Sequence, residues 1–331
     1  MKRILFSLFA LLLVVAAVGA ALEGLNPVWW QNLKLRYYAP VGSLLNGEEL
    51  ERVGKETSRE ARVASDLLLS GGVARDGIPS IDSPRFKTAA TTEFPSEALG
   101  LGLILQGVAK FYPYNILNWH EIVNDRLGGV PVTVTYCPLC ETGIVFAREQ
   151  TTYGVSGLLF ESCLIMYARD DETYFAQPWG VAILGPKMNT ALKRYPAIRT
   201  TLGAWQEAHP ETLVLSKQTG YSRNYEQYPY GSYYTDRNII FPVRGLDSLE
   251  THPKALFQYY WRADDQTPRN EFSGVVYKIS FAEAREQKTV PFANGIRAVW
   301  DDQFDCVRFL DAQGRELPSS AAFAFVLTAM F

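Results

Sequence analysis

Apolar and polar positions change their period along the chain. Lys2 and Arg3 precede an uncharged run from Ile4 to Leu22, with the small residues Val18 and Ala20 placed to suit signal-peptidase cleavage. This predicts a signal peptide over 1–22 or, if uncleaved, a single membrane anchor. From Glu48 to Leu69 apolar residues recur at helical spacing among charges and stop at Gly71-Gly72. That predicts a surface-packed helix inside a segment, 23–75, that is otherwise an aromatic linker. Beyond Asp76 the pattern becomes short β-branched and aromatic runs broken by Gly, Pro and Asn. Val132 to Tyr136, Ile144 to Ala147, Leu164 to Tyr167, Val181 to Leu184, Leu213 to Leu215 and Ile239 to Val243 read as strands, and Leu202 to Ala208 as a short helix. The expected body, 76–331, is a β-rich domain of the α+β class, built of short strands and hairpins with few helices. Gly107-Val108-Ala109-Lys110-Phe111-Tyr112 is echoed by Gly274-Val275-Val276-Tyr277-Lys278-Ile279, which suggests two related halves with chemistry kept in the first. The apolar end Ala321 to Phe331 is too short to span a bilayer and reads as a core element.

Composition changes this picture little. The 331 residues are 47% hydrophobic and 13% aromatic, ample for a core, and the net charge of −3 comes with no basic cluster beyond the N-terminal segment. Nucleic acid is therefore not an expected partner. Four cysteines are too few to scaffold an exported chain of this size with disulfides. The leader predicts a periplasmic, extracellular or membrane-anchored protein facing outside the cytoplasm, touching membrane only through the N-terminal segment.

The concentrated chemistry lies at Cys137-Pro138-Leu139-Cys140, directly behind a strand pattern. Such a pair either cycles between dithiol and disulfide or supplies two thiolates to a soft metal site. The sequel Glu141-Thr142-Gly143-Ile144-Val145-Phe146-Ala147 reads as a turn closed by Gly143 and a second strand, the layout of a metal-binding knuckle. A helix opening at Cys137 would favour redox work instead.

Several stretches together resemble one family. Asp76-Gly77-Ile78-Pro79-Ser80-Ile81-Asp82, the run from Ile116 to Asp125, the run from Gly128 to Cys140 and Gly154-Val155-Ser156-Gly157-Leu158-Leu159 are similar to the bacterial and archaeal domain of unknown function 3179 family. The resemblance continues through Met166-Tyr167, Gly185-Pro186, Trp205, His209-Pro210, Val214-Leu215-Ser216, Thr219-Gly220 and Pro229-Tyr230. It implies an exported, cysteine-bearing protein and assigns no activity. Cys163 departs from the family pattern, where an acidic residue is more usual, so the resemblance gives Cys163 no essential role.

Three histidines are available to join the pair. His120, inside a resembling stretch, is the candidate third ligand or base; Asn124 in place of a second histidine argues against a metalloprotease signature. His209 and His252 each precede a proline and read as helix-end caps. In a strand, Cys163 and Met166 point to opposite faces, and Met166 is the better fourth ligand. Two thiolates, an imidazole and a thioether suit a copper ion; without Met166, water or Cys163 in the fourth position suits zinc as well. Ser156 lacks the spacing of a nucleophile elbow, and no phosphate loop or dinucleotide fingerprint occurs. The tyrosine-rich run from Tyr221 to Tyr234 reads as a surface loop packed on the sheet. The expected function is soft-metal binding at Cys137, Cys140, His120 and Met166 by an exported protein. One alternative is a thiol–disulfide oxidoreductase acting on a thiol-bearing protein partner, with Cys137 attacking, Cys140 resolving, and His120 or Glu141 tuning the protons. The other is a non-catalytic envelope module in which the pair staples a hairpin.

Overall fold

Strand alternation governs the computed structural model, which describes residues 68–263 and 274–331. The expected signal segment and nearly all of the expected helix from Glu48 lie outside these residues; its last position, Leu69, opens a strand. The chain begins with β1 (Leu69–Ser70), β2 (Phe86–Thr88), β3 (Leu99–Leu105), β4 (Val108–Pro113) and helix α1 (Tyr114–His120). A meander of β5 (Ile122–Leu127), β6 (Val130–Cys137) and β7 (Thr142–Ala147) leads to β8 (Tyr153–Phe160), β9 (Cys163–Ala168), β10 (Tyr174–Ala176) and β11 (Val181–Leu184). Next come β12 (Arg194–Tyr195), β13 (Ile198–Thr201), α2 (Leu202–Ala208), β14 (Leu213–Leu215) and, after a long strandless stretch, β15 (Leu256–Ala263). The last elements are β16 (Gly274–Ser280), α3 (Phe281–Gln287), β17 (Thr289–Pro291), β18 (Arg297–Asp301), β19 (Cys306–Leu310), β20 (Ser320–Phe323) and α4 (Ala324–Ala329).

These strands form five sheets, ordered β1-β8-β9-β10-β11, β12-β7-β6-β5, β13-β3-β4-β14-β2, β16-β15-β20 and β17-β18-β19. Period-two alternation gives the second sheet two buried faces. Val132, Val134, Tyr136 and Val145 pack with Leu101, Leu103 and Phe111 of the third sheet. Cys137, Ile144 and Phe146 turn the other way, into a core shared with the first sheet and with Tyr259 and Trp261 of the fourth. Tyr277 and Ile279 of the fourth sheet then meet Ala298, Trp300 and Phe309 of the fifth. Phe304 and Cys306, at the β18–β19 turn, return to the core of the third sheet, and Thr200 Oγ1 donates to Phe304 O at 2.8 Å. The ring of contacts closes, giving a five-bladed β-propeller.

The α+β expectation is corrected by this arrangement. Strands account for 40% and helices for 14%, the fold is β-rich with blades packing on blades, and no layer of helices covers a sheet. Among the described residues the four α-helices are short, six or seven residues each. The helix expected at Leu202 to Ala208 is α2, its N-terminus capped by Thr201, whose side chain accepts from Ala204 N. Ile239 to Val243 is not a strand: Ile239 and Val243 are buried, but Pro242 between them has no N–H for a ladder.

Five blades do not divide into the two related halves expected, although the sequence echo falls on matching local structure. β4–α1–β5–β6–β7 and β16–α3–β17–β18–β19 run strand, helix, three-stranded meander. Both helices end on a non-glycine residue at positive φ, Glu121 at 56° and Lys288 at 60°. Both meanders have a turn, closed by the pairs Cys137↔Thr142 and Asp301↔Cys306, whose last residue is an acid at positive φ, Glu141 at 59° and Asp305 at 49°.

Candidate functional site

The Cys-x-x-Cys pair sits on the tight turn between β6 and β7, so a second strand follows it and not a helix. Three carbonyls of the turn are engaged. Cys137 O accepts from Cys140 N at 3.3 Å, Leu139 O from the Tyr233 hydroxyl at 2.8 Å, and Cys140 O from Phe323 N of β20 at 3.0 Å. Gly143 lies inside β7 and does not close the turn, which is completed by Glu141. Its N–H and carbonyl both bond the Ser320 hydroxyl, at 3.2 and 2.9 Å.

A third sulfur joins the pair. Cys163 opens β9 just after the two-residue turn Glu161-Ser162, both at positive φ, and lies within hydrogen-bond reach of Cys140, which is also within reach of Cys137. All three are free thiols, 0–1% exposed. Burial pushes Cys137 and Cys140 well above the usual thiol range and Cys163 up to about 11. The proton on Cys140 is located by its neighbours. Gln177 Nε2 donates to Thr142 O at 3.1 Å, fixing the amide, and Thr142 Oγ1 donates to Gln177 Oε1 at 2.6 Å. The Thr142 oxygen then accepts from the Cys140 thiol at 3.0 Å.

Buried carboxyl groups flank the sulfurs. Glu121, close enough to Cys137 to raise its thiol further, is itself pushed up to about 8 by burial, against a hydrogen bond from Tyr230 at 3.3 Å. Glu141 accepts from Tyr136 at 2.6 Å and from Arg199 Nε at 2.9 Å. Glu161 accepts from Arg244 through both its backbone N–H, at 2.8 Å, and its guanidinium. Non-glycine residues at positive φ are uncommon, and three of them here are acids aimed inward beside thiols.

His120 is fully buried and belongs to a different network. One ring nitrogen bonds Pro79 O at 2.7 Å and the other the Tyr225 hydroxyl at 2.7 Å, so both are in use. Met166 is buried on β9, paired in register with Val155 and Phe175, and strand alternation puts it on the face opposite Cys163. The structure thus brings together Cys137, Cys140 and Cys163, and not His120. Sequence reasoning ranked Cys163 below Met166 and passed over Glu121, Tyr230 and Tyr233; the acids following α1 and the pair were a usable signal, the tyrosine positions were not. His209 stacks on Trp205 and Phe304, at centroid distances of 4.2 and 6.3 Å, and its backbone N–H ends α2 on Trp205 O. His252 Nδ1 accepts from Lys254 N at 3.1 Å.

Protonated, buried thiols are poor nucleophiles, since the thiolate is the attacking species. They are competent soft ligands if a cation displaces their protons. Among the described residues no set of three or more His, Cys, Asp and Glu side chains is disposed as a metal cage. No helix among them is long and apolar enough to cross a membrane.

No curated protein and no solved structure matches the chain. The model of the family described as Protein of unknown function (DUF3179) matches residues 75–327, a span that holds every strand from β2 to β20 and all three clustered cysteines. The chain belongs to the DUF3179 family.

Proposed function

We propose that this protein binds a soft metal ion outside the cytoplasm, copper(I) ahead of zinc, through the thiolates of Cys137 and Cys140. The observation that carries the reading is the gathering of three sulfurs from two separate hairpins at one buried point. Thiolate-rich donor sets favour copper(I), and three sulfurs converge at the turn beside buried carboxyl groups, while the His120 imidazole is engaged elsewhere. His120 and Met166 are for that reason left out of the donor set. A hairpin turn in place of a helix N-terminus, together with raised thiols, weighs against an oxidoreductase. Cys163 beside Cys140 is the observation in that reading's favour, because a neighbouring thiol can resolve a mixed disulfide.

Elemental analysis of the whole chain, purified without oxygen and then offered copper(I), tests this. Stoichiometric copper in the wild type, lost in the Cys137→Ser, Cys140→Ser double variant, is expected, since hydroxyls are poor substitutes for soft donors. A wild type that takes up no metal sinks the reading. A mixed disulfide trapped by Cys140→Ser alone would promote the oxidoreductase, and a folded double variant with neither effect would leave the turn as packing.

A further inference from the structure

Nothing reaches sulfurs that are 0–1% exposed unless part of the protein moves. The segment from Lys217 to Leu249, between β14 and β15, carries no strand and runs across the cysteine site. Its tyrosines touch the site one after another. Tyr230 bonds Glu121, Tyr233 bonds Leu139 O inside the Cys-x-x-Cys turn, and Tyr234 reaches Glu141 at 3.4 Å. Tyr233 also lies within electrostatic reach of Cys137, Cys140 and Cys163. Further along, Arg244 holds Glu161, two residues before Cys163.

Two features mark this covering as separable from the blades. Apart from the buried Tyr233, Ile239 and Val243, it meets the site through scattered hydrogen bonds, those of Tyr230, Tyr233, Tyr234 and Arg244, whereas the blades are held by continuous ladders such as the one from Val132↔Ala147 to Cys137↔Thr142. Among its ties is a buried charge: the Lys254 ammonium bonds Tyr233 O and Asp236, the latter at 2.9 Å, and lies 3.5 Å over the Tyr233 ring. The Tyr228 hydroxyl, buried under the segment, has no hydrogen-bond partner, so part of this interface is incompletely satisfied.

We propose that the segment 217–249 is a gate over the three sulfurs, latched by Lys254, and that it opens locally to admit a small soft cation while the blades stay folded. As a route for a metal ion the gate rests on the metal-binding reading; as a local opening it does not. Segments without ladder hydrogen bonds open at lower free energy than ladder-bonded cores.

Cys306 supplies an internal reference, being 3% exposed at the start of β19 and packed in another core. The whole chain, reduced and without added metal, is treated with N-ethylmaleimide over a series of urea concentrations below the unfolding transition, and labelling is mapped to each cysteine. Expected is labelling at Cys137, Cys140 or Cys163 with a shallow urea dependence, while Cys306 follows the steep slope of global unfolding. In Lys254→Met the ratio of site labelling to Cys306 labelling rises roughly tenfold, the latch being a hydrogen-bonded charge. Four cysteines reacting in parallel with one slope would overturn the gate. If Lys254→Met does not fold, the wild-type series alone decides. A chain that gates its thiols but takes up no copper sinks only the metal reading; one that takes up copper with parallel labelling sinks only the gate.

Discussion

At the scale of single residues, the cysteine turn rests on hydrogen bonds whose direction is fixed. Thr142 gives its proton to Gln177 and takes one from Cys140, so Thr142→Val removes a donor and an acceptor from a fully buried spot. It is expected to destabilise the protein by about 1–3 kcal/mol, measured by urea unfolding, through the unsatisfied Gln177 oxygen. His120 makes a second prediction. Burial lowers its pKa from the ordinary 6.5, with Arg223 opposing the charged form too and Pro79 O favouring it; Tyr225 and the Tyr221 ring are its other neighbours. The unfolded chain therefore binds the proton more tightly. The stability contributed by neutral His120 is complete above 6.5 and is lost as pH falls below it toward the folded value. Unfolding free energies at about pH 7.5 and about pH 5 should differ less in His120→Gln than in the wild type; equal differences would remove His120 as a source of acid sensitivity.

At the scale of elements, the two matching meanders form a natural experiment. Glu141 and Asp305 occupy the same turn position at positive φ, but Glu141 is buried against Arg199 and Tyr136, whereas the side chain of Asp305 is 73% exposed in its pair with Arg285. Glycine relieves the backbone at both. Asp305→Gly should leave stability within about 1 kcal/mol of wild type or raise it, because an exposed pair contributes little. Glu141→Gly should destabilise by about 3–5 kcal/mol by stranding the buried guanidinium. Thermal melts of the two variants check the contrast. The hairpin carrying the cysteines was legible in sequence because alternation through Val132 to Tyr136 and Ile144 to Ala147 is local. Cys163 was not: its approach to Cys140 depends on how the β8–β9 hairpin stacks against β6–β7, which leaves no trace in either stretch. His120 was misjudged for a similar reason, since its partners Pro79 and Tyr225 are remote in the chain.

At the scale of the molecule, the blades are closed by pairings between distant segments: β1 with β8, β13 with β3, and β15 with β20. Short apolar runs bounded by Gly and Pro fit several β-rich classes equally, which is why α+β was the expectation and a propeller is the finding. Phe323, Phe325, Val326 and Leu327 are at most 2% exposed, so a chain ending at Ser319 loses β20 and α4 from the shared core. Its melt, followed by circular dichroism, should have no cooperative transition; a wild-type-like melt would show that β20 is an accessory to the ring.

The same tie between Phe323 and Cys140 has a temporal side. In a chain that emerges N-terminus first, Cys137, Cys140 and Cys163 appear well before the tyrosines that cover them and before the strand that secures their turn. Burial of the sulfurs is thus among the last events of vectorial folding, since domains fold as units once their chain is available. For that interval the thiols are open to oxidants and to any other reagent that the covering segment later keeps from them.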